Sequence, residues 1–593
     1  MSEIRVPVLI VGGGASGLTT SIMLSSYGID HILVERHEST SLLPKAHYLN
    51  QRTMEILRQF GVADDIYAVG APIEKMASVV WQTSLTGPDP LQGRTFAKMD
   101  CFGGGALTER YMRDSACLST NYPQLRLEPV LRRHAEERAP GKVLFHHELT
   151  EMSQDESAVT ATIVNRTTGE SFTVIADYLV GADGGKTVGP TIGATMVGAS
   201  DLLDIVTTHL EADFSEWWDD DTLIAHFINP EAGSYPSGGN MVQMGPTWGR
   251  HSEEWAFHFA FLPTDDSNLD ETTILAKIRE LLGVGDHPIT IKRISRWSVQ
   301  GTIADRYGDG RVFLVGDAAH RHPPTTGLGL NTCVQDAHNL AWKLQAVLRG
   351  HADAALLDTY AVERQPVGIR IVDWALFTMQ NHFVVDAGMG LLPIPVPPEM
   401  HRAVFDVFFS ETPMGASRRA RFDEAVHTQR TEFQAHDLEI GYFYPTGALV
   451  PDGTPPPPSD PMGSIYYPTT RPGHRLPHAW LDSPDGRVST HDLVGRHGEL
   501  LLITGADAQH WSAAAEAAAE KFGVAISVAA VGATHHDGAT HHDNEGQWEA
   551  LKEIASDGAI LVRPDNHVAW RSLAQPTDAA DALITAVGAV FHR

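Results

Sequence analysis

Cysteine is scarce in this chain: Cys101, Cys117 and Cys333 are the three among 593 residues. None belongs to a CxxC pair, which excludes a redox dithiol and a cysteine zinc site, and three distant thiols make no disulfide framework. The usage fits a reducing cytoplasm, where the protein is expected. Long apolar runs are lacking too. Val6 to Val11 has the length of a strand rather than of a membrane span. It has no basic leader before it and no cleavage site after it, so no membrane association and no secretion signal are expected. Positive charge is short: 44 Lys and Arg against 74 Asp and Glu leave a formal net charge of −30. Such a surface repels nucleic acid and anionic lipid, and neither is expected as a partner. What remains, 42% hydrophobic and 20% charged, is an ordinary globular composition. The length implies about three or four folding units.

The first of these units opens on a nucleotide motif. Val6 to Val11 predicts a buried parallel strand, followed by GGGASG, a helical pattern from Leu18 to Tyr27 and a second strand, Ile29 to Val34, that ends at Glu35. Gly12 permits the tight turn, Gly14 lets a pyrophosphate approach the backbone, and Gly17 lets helix and strand close up. The N-terminus of the helix that follows, with its free N–H groups and dipole, suits phosphate. Glu35 lies 23 residues after Gly12, where a carboxylate can accept from ribose hydroxyls. The motif alone does not separate NAD from FAD.

Two further segments bear on the cofactor. Residues 178–185 read YLVGADGG, a strand ending in a turn that carries Asp183. Residues 311–331 read RVFLVGDAAHRHPPTTGLGLN: a strand from Val312 to Val315 delivers Asp317, a turn with Pro323 and Pro324 leads to Gly327 and Gly329, and a helix runs from about Asn331 to Leu348. A carboxylate at that strand end suits a sugar-alcohol hydroxyl, and the helix N-terminus suits the negative charge of a reduced flavin.

Together the three segments resemble the class A flavoprotein aromatic hydroxylases, the p-hydroxybenzoate hydroxylase superfamily. The resemblance implies a Rossmann-like α/β FAD-binding domain, an inserted α+β substrate domain built on a β-sheet, and a thioredoxin-like C-terminal domain without CxxC. It assigns Gly12, Gly14, Ala15, Ser16, Gly17, Glu35 and Arg36 to the ADP half of FAD. Asp183 falls in the second fingerprint. Asp317, Pro324, Gly327, Gly329, Leu330 and Asn331 go to the ribityl chain and ring, and Gln124 of PQLRLEPVL lies near the flavin. Two departures stand out. Pro190 stands where the family has Arg, and Lys45 replaces the usual Arg of PRA, keeping the charge but losing the planar fork. No second GxGxxG occurs, so NADH or NADPH is expected to bind transiently without a domain of its own. The implied boundaries are 1–75, 105–189 and 296–395 for the FAD domain, 76–104 and 190–295 for the substrate domain, 396–474 as a connecting region, and 475–593 for the C-terminal domain.

Within that superfamily, PKAHYLNQRTMEILR at 44–58 and RPGHRLPHAWL at 471–481 look like the phenol-type branch. That branch implies hydroxylation of a small phenol, ortho or para to its OH, by NAD(P)H and O2 through a C4a-hydroperoxyflavin. A polyketide-tailoring hydroxylase of the same fold, or a non-oxygenating FAD reductase, is the alternative. His47 matches the residue proposed to take the phenol proton; a histidine near its ordinary pKa of about 6.5 suits that work at neutral pH. His226 in AHFINP, Gln243 and Pro323 are substrate-side candidates, with Trp248 and Trp255 as possible pocket walls. Pro455 to Pro458 reads as an extended linker. Beyond it ELLLITG at 499–505, a helix around 512–521, VAISVAAVG at 524–532 and a hairpin-like pair of 557–564 with 567–571 read as the C-terminal domain, suited to structural support or dimer contact. A homodimer or dimer of dimers is expected. The repeated ATHHD within 533–544 reads as a solvated loop, since adjacent His-His pairs lack the i,i+4 spacing of helix-borne ligands, and no metal is expected.

Overall fold

The structure is a computed structural model and describes residues 3–230, 238–265, 270–392, 396–506, 508–533 and 538–593. Its first strand, β1 (Glu3–Val11), carries Val8, Leu9 and Ile10 with no exposed surface. That continuous β-branched run suits a strand covered on both faces. β1 pairs in parallel with Ser171–Gly181 on one side and with β2 (His31–Glu35) on the other. Val143–Phe145 extends the sheet beyond β2, and Val312–Leu314 extends it beyond Ser171–Gly181. Helix α1 (Ala15–Ser26) begins three residues before the helical pattern predicted it, and β2 begins two residues late. The glycine-rich turn is itself helical from Ala15 onward, a start that apolar periodicity does not mark. α1 packs against the helix Gly329–Leu348, buried along nearly its whole length.

A second, seven-stranded sheet lies over this unit. Its order is Thr290–Ser298, Asp204–Glu211, Glu254–Phe261, Gly239–Gly245, Thr222–Phe227, Ser78–Gln82 and Thr95–Asp100. Strict alternation gives it two faces. Val80, Val206, Ala225, Met241 and Phe257 pack with the helix Glu271–Leu282 into one cluster, while Trp81, Ile224, Val242 and Ala256 join the core shared with the flavin-side unit.

Residues 396–474, expected only to connect, do more. The helices Pro398–Phe408, Pro413–His427, Arg430–Phe433 and His436–Ile440 put Phe405, Phe408, Phe422 and Phe433 into the main core. Two of the four helices are only four and five residues long, too short for a periodic pattern to mark. The C-terminal sheet runs Gly486–Ser489, Trp480–Ser483, His541–His542, Ile526–Gly532, Leu500–Gly505, Ala559–Val562 and Val568–Ser572, with helices Gln509–Phe522 and Ala579–Val590 against it. Two residues of the second ATHHD copy are therefore strand rather than loop: His541–His542 pairs with Val531–Gly532. Residues 534–537 of the repeat lie outside the described residues. Among the described residues no cluster of His, Cys, Asp or Glu could hold a metal, and no helix is long and apolar enough to cross a membrane.

Candidate active site

Three chain segments meet at the carboxyl end of the first sheet. Gly12 has φ +116°, and a Cβ there would stand 2.2 Å from the Ala182 carbonyl oxygen. A Cβ on Gly316 would stand 2.3 Å from Ser16 Oγ. The GGGASG turn, the 178–185 turn and the 316–317 turn thus touch one another. α1 starts at Ala15 with Gly14 as its N-cap and no side-chain cap from that residue; the Ala15 N–H meets the Glu128 carboxyl, and the helix end as a whole suits an anion. Glu35 curls over this turn: one oxygen accepts from Gly13 N at 2.7 Å, the other from His37 N at 2.8 Å. Arg36 follows, half-buried. Asp317 is exposed; its carbonyl accepts from Arg321 Nε at 3.1 Å, and among the described residues its carboxylate has only a long contact, 3.8 Å from Cys333 Sγ.

The loop before the Gly329–Leu348 helix is held in an uncommon conformation. Thr326 has φ +67°, a left-handed setting that costs a β-branched residue about 1–3 kcal/mol. Its hydroxyl lies 3.1 Å from that of Thr378. Pro323 and Leu330 are buried, and Pro324 is exposed.

On the other side of this loop stands His47, just before the short strand Tyr48–Leu49 and helix α2 (Gln51–Gln59). Its Nδ1 lies 2.8 Å from Asn121 Oδ1, and Asn121 Nδ2 donates to the Gln243 carbonyl at 2.9 Å. A carbonyl only accepts, so the Asn121 amide has one orientation and its oxygen must face the histidine. His47 therefore carries its proton on Nδ1 and presents a lone pair at Nε2, which has no protein partner among the described residues. Burial lowers its pKa to about 4, against the opposing hydrogen bond of Asn121.

Residues 5–375 match the FAD binding domain family, and residues 469–593 match the aromatic-ring hydroxylase C-terminal family. The chain belongs to the FAD-dependent aromatic-ring hydroxylases. It is 34% identical over 594 residues to 2,4-dichlorophenol 6-monooxygenase of Delftia acidovorans, covering 99% of this chain and 98% of the relative. It is 32% identical to phenol 2-monooxygenase of Pseudomonas sp. strain EST1001, covering 98% and 92%. Among solved structures it is similar to the flavin-dependent monooxygenase PieE in complex with FAD and substrate, with TM-score 0.92, 40% identity and full coverage of both chains.

FAD is the hydroxylase's cofactor, and the residues present fit it. The glycine turn leaves space where a Cβ would meet backbone, the end of α1 suits a diphosphate, and the exposed Asp317 carboxylate suits a hydroxyl. Several sequence candidates nevertheless do other work than expected. Asp183 is committed to its own turn, accepting from the N–H groups of Gly185, Thr187 and Val188. Asn331 is fully buried and braces the loop to the His47 segment: its amide donates to the carbonyls of Tyr48 and Gly327 and accepts from Asn50 N. Gln124 Nε2 donates to Glu128 Oε1 at 2.6 Å, and Lys45 is exposed, near Glu128. A Cβ on Gly14 would lie 3.5 Å from that Glu128 oxygen, so the carboxyl stands at the mouth of α1, its pKa raised by burial. The sequence reading passed Glu128 over, because a lone acid inside a helical repeat carries no signal.

The substrate side also needs correction. Gln243 has no exposed surface. Its Nε2 donates to the carbonyls of Lys75 and Thr222, and its Oε1 accepts from Gly249 N. Both amide donors are used, so it shapes the sheet rather than meeting a ligand. Trp255 lies on the far face with the Glu271–Leu282 helix, its Nε1 bound to the Ala212 carbonyl. The Trp248 Nε1 donates to the Val69 carbonyl. His226 lies on the near face, stacked on Trp81 with ring centroids 5.5 Å apart. The expected pKa for His47 is corrected as well: burial takes it from the ordinary 6.5 down to about 4, so it is neutral throughout the physiological span.

Proposed function

We propose that this hydroxylase acts on a phenolic ring, with NADH or NADPH and O2 as co-substrates, and that His47 takes the proton of the phenol hydroxyl. The observation that carries this reading is the lone pair of His47 Nε2, fixed by the Asn121–Gln243 chain of hydrogen bonds and kept neutral by burial. FAD, when bound, supplies the oxygen chemistry. The chain's own contribution is to orient the ring and draw its proton away.

Magnitudes refine that contribution. A phenol titrates near pH 10, about 6 units above His47, so complete transfer in the ground state is uphill by roughly 8 kcal/mol. His47 therefore works as an acceptor that tightens on the hydroxyl as negative charge leaves the oxygen for the ring, rather than as a base that ionises the free substrate. Two outcomes follow. Turnover attributable to His47 is flat between pH 6 and 8, since the group stays neutral there. His47→Ala, with FAD retained, loses about 10²-fold to 10⁴-fold in kcat on phenols that are protonated at the assay pH. The loss shrinks to less than about tenfold on nitrophenols that are already ionised. Coupled hydroxylation with isotopically labelled O2, scored by product mass across phenols of graded acidity, is the test. A loss independent of phenol acidity removes His47 from the proton's path, and absence of label in any product removes the oxygenase reading altogether.

A further inference from the structure

The strand registers of the second sheet bring one residue from each of six strands into a transverse row. Thr207 pairs with Ser295 and with His258, His258 with Asn240, Asn240 with His226, and His226 with Trp81. Directly paired residues share a face. The chain neighbours Val206, Phe257, Met241, Ala225 and Val80 fill the opposite face, so the row looks toward the flavin-side unit. Its Trp81 end is aromatic, with Phe433 near both His226 and Trp81. Its middle is polar and lies near His47, whose positive charge would weigh against protonation of His258.

Within the row His258 is oriented by its neighbours. The indole Nε1 of Trp297, a donor only, gives its hydrogen to Thr207 Oγ1 at 3.0 Å, and the same oxygen lies 2.9 Å from His258 Nδ1. Thr207 is buried, and among the described residues its hydroxyl hydrogen has no acceptor but that nitrogen. The hydroxyl therefore donates to Nδ1, and the proton of the neutral imidazole sits on Nε2, which has no protein partner among the described residues. His47 and His258 thus carry opposite tautomers: the first offers a lone pair, the second an N–H.

We infer that His258 is a specificity-determining residue whose Nε2–H donates to a second oxygen on the substrate, so that the preferred ring bears a hydroxyl for His47 and, elsewhere on it, an acceptor oxygen such as a carbonyl or second hydroxyl. Thr207 and Trp297 act through it as positioning residues. This deepens the phenol reading and rests on it. A site built to hydrogen-bond an oxygen discriminates against the analogue that lacks it.

The test uses the FAD-loaded, full-length enzyme with the three hydroxyacetophenone isomers, the three dihydroxybenzenes and the size-matched ethyl- and methylphenols. Wild type is expected to prefer at least one oxygen-bearing isomer by tenfold or more in kcat/KM. His258→Leu removes that preference chiefly through KM and leaves the alkylphenols within threefold. His258→Gln, which restores a donor, recovers part of it. Thr207→Val, which frees Nδ1 to take the proton, weakens it as well. Equal treatment of both substrate classes by wild type, or equal loss on both in His258→Leu, overturns the inference. If His258→Leu fails to hold FAD, His258→Gln and Thr207→Val decide on the same criteria. If no phenol is hydroxylated at all, the phenol reading fails by itself, and dissociation constants from the ligand-induced shift of the flavin spectrum decide the role of His258: indistinguishable constants for the two classes overturn it.

Discussion

The two walls of this site are made by different means. On the flavin side the main chain forms the wall: turns at Gly12, Ala182 and Gly316 press against each other, and the N-terminal end of α1 beside them suits a diphosphate. On the substrate side the holding is done by side chains drawn from many strands, each placed by register: Thr207, Asn240 and His258 beside His226, with His47 and Asn121 reaching in from elsewhere. A wall of backbone tolerates no added atom but is indifferent to most side chains. A wall of side chains tolerates substitution one residue at a time and pays in specificity.

The largest expected effect tests the first half of that contrast. Gly12→Ala places a methyl group 2.2 Å from the Ala182 oxygen in a conformation that L residues rarely adopt. The protein is expected to come out with less than about a tenth of its bound flavin, read from the ratio of visible to ultraviolet absorbance, whereas His258→Leu keeps its colour. Full flavin content in Gly12→Ala breaks the contrast, since the backbone wall would then have slack.

The same contrast explains what could be read from the amino-acid string. Gly12, Gly14 and Gly17 lie within six residues, and their spacing states a geometry directly, so the first unit and its dinucleotide-binding turn were legible, while the choice of FAD came only with the resemblance of all three segments. His258 was not. Its meaning comes from pairing with Thr207, 51 residues away, and with Asn240, and register is not a local property of sequence. Gln243 and Trp255 misled for the same reason: residue type suggested a pocket, while the pleat had turned one into the sheet's own hydrogen bonding and the other to the far face. Asn331 was expected at the flavin ring, and its amide ties its loop to Tyr48, a partner 283 residues away that no spacing rule names.

A second, smaller effect sharpens the contrast by showing how far the side-chain wall extends. Helix α2, which follows His47, is anchored from beneath by the C-terminal region. Arg475 Nε donates to Glu55 Oε2 at 3.0 Å, Arg475 Nη2 donates to the Asp114 carbonyl, and Arg52 Nη2 donates to the Asp565 carbonyl at 2.7 Å. Glu55 and Arg475 have about 1% of their side chains exposed. Burial alone would raise the Glu55 pKa, but Arg475, His491 and Arg52 outweigh it and hold the carboxylate well below its ordinary range. Arg475→Met strands that carboxylate in the interior and is expected to cost about 3–5 kcal/mol, seen as a lower midpoint in denaturant unfolding. The sign of the pH dependence follows from a depressed pKa. In wild type the contribution of Glu55 is complete above about pH 4.5 and is lost as pH falls below that value, and Arg475→Met flattens this acid limb. An unchanged midpoint would mean that the C-terminal region sits beside the His47 segment without supporting it.

The last effect is a slope rather than an offset, and it comes from the residue next to His47. Tyr48 donates to Glu439 Oε1 at 2.8 Å, and Ser119 Oγ lies 3.0 Å from the same phenol oxygen. Glu439 is 1% exposed, and burial, opposed by Tyr48 and Arg110, lifts its pKa to about 8. The folded protein therefore holds a proton there that the unfolded chain has released above its ordinary value of 4.5. Between those two values stability falls as pH rises, by about 1.4 kcal/mol per pH unit for this one group; the contribution is complete below pH 4.5 and is lost as pH passes 8. Glu439→Gln keeps the shape and an acceptor for Tyr48 but cannot titrate. It is expected to unfold like wild type near pH 4.5 and to be more stable by an increasing margin toward pH 8, read as midpoint against pH in matched denaturant series. Parallel curves for the two proteins would mean that Glu439 is ionised in the fold, and that the support behind His47 is an ion rather than a neutral acid.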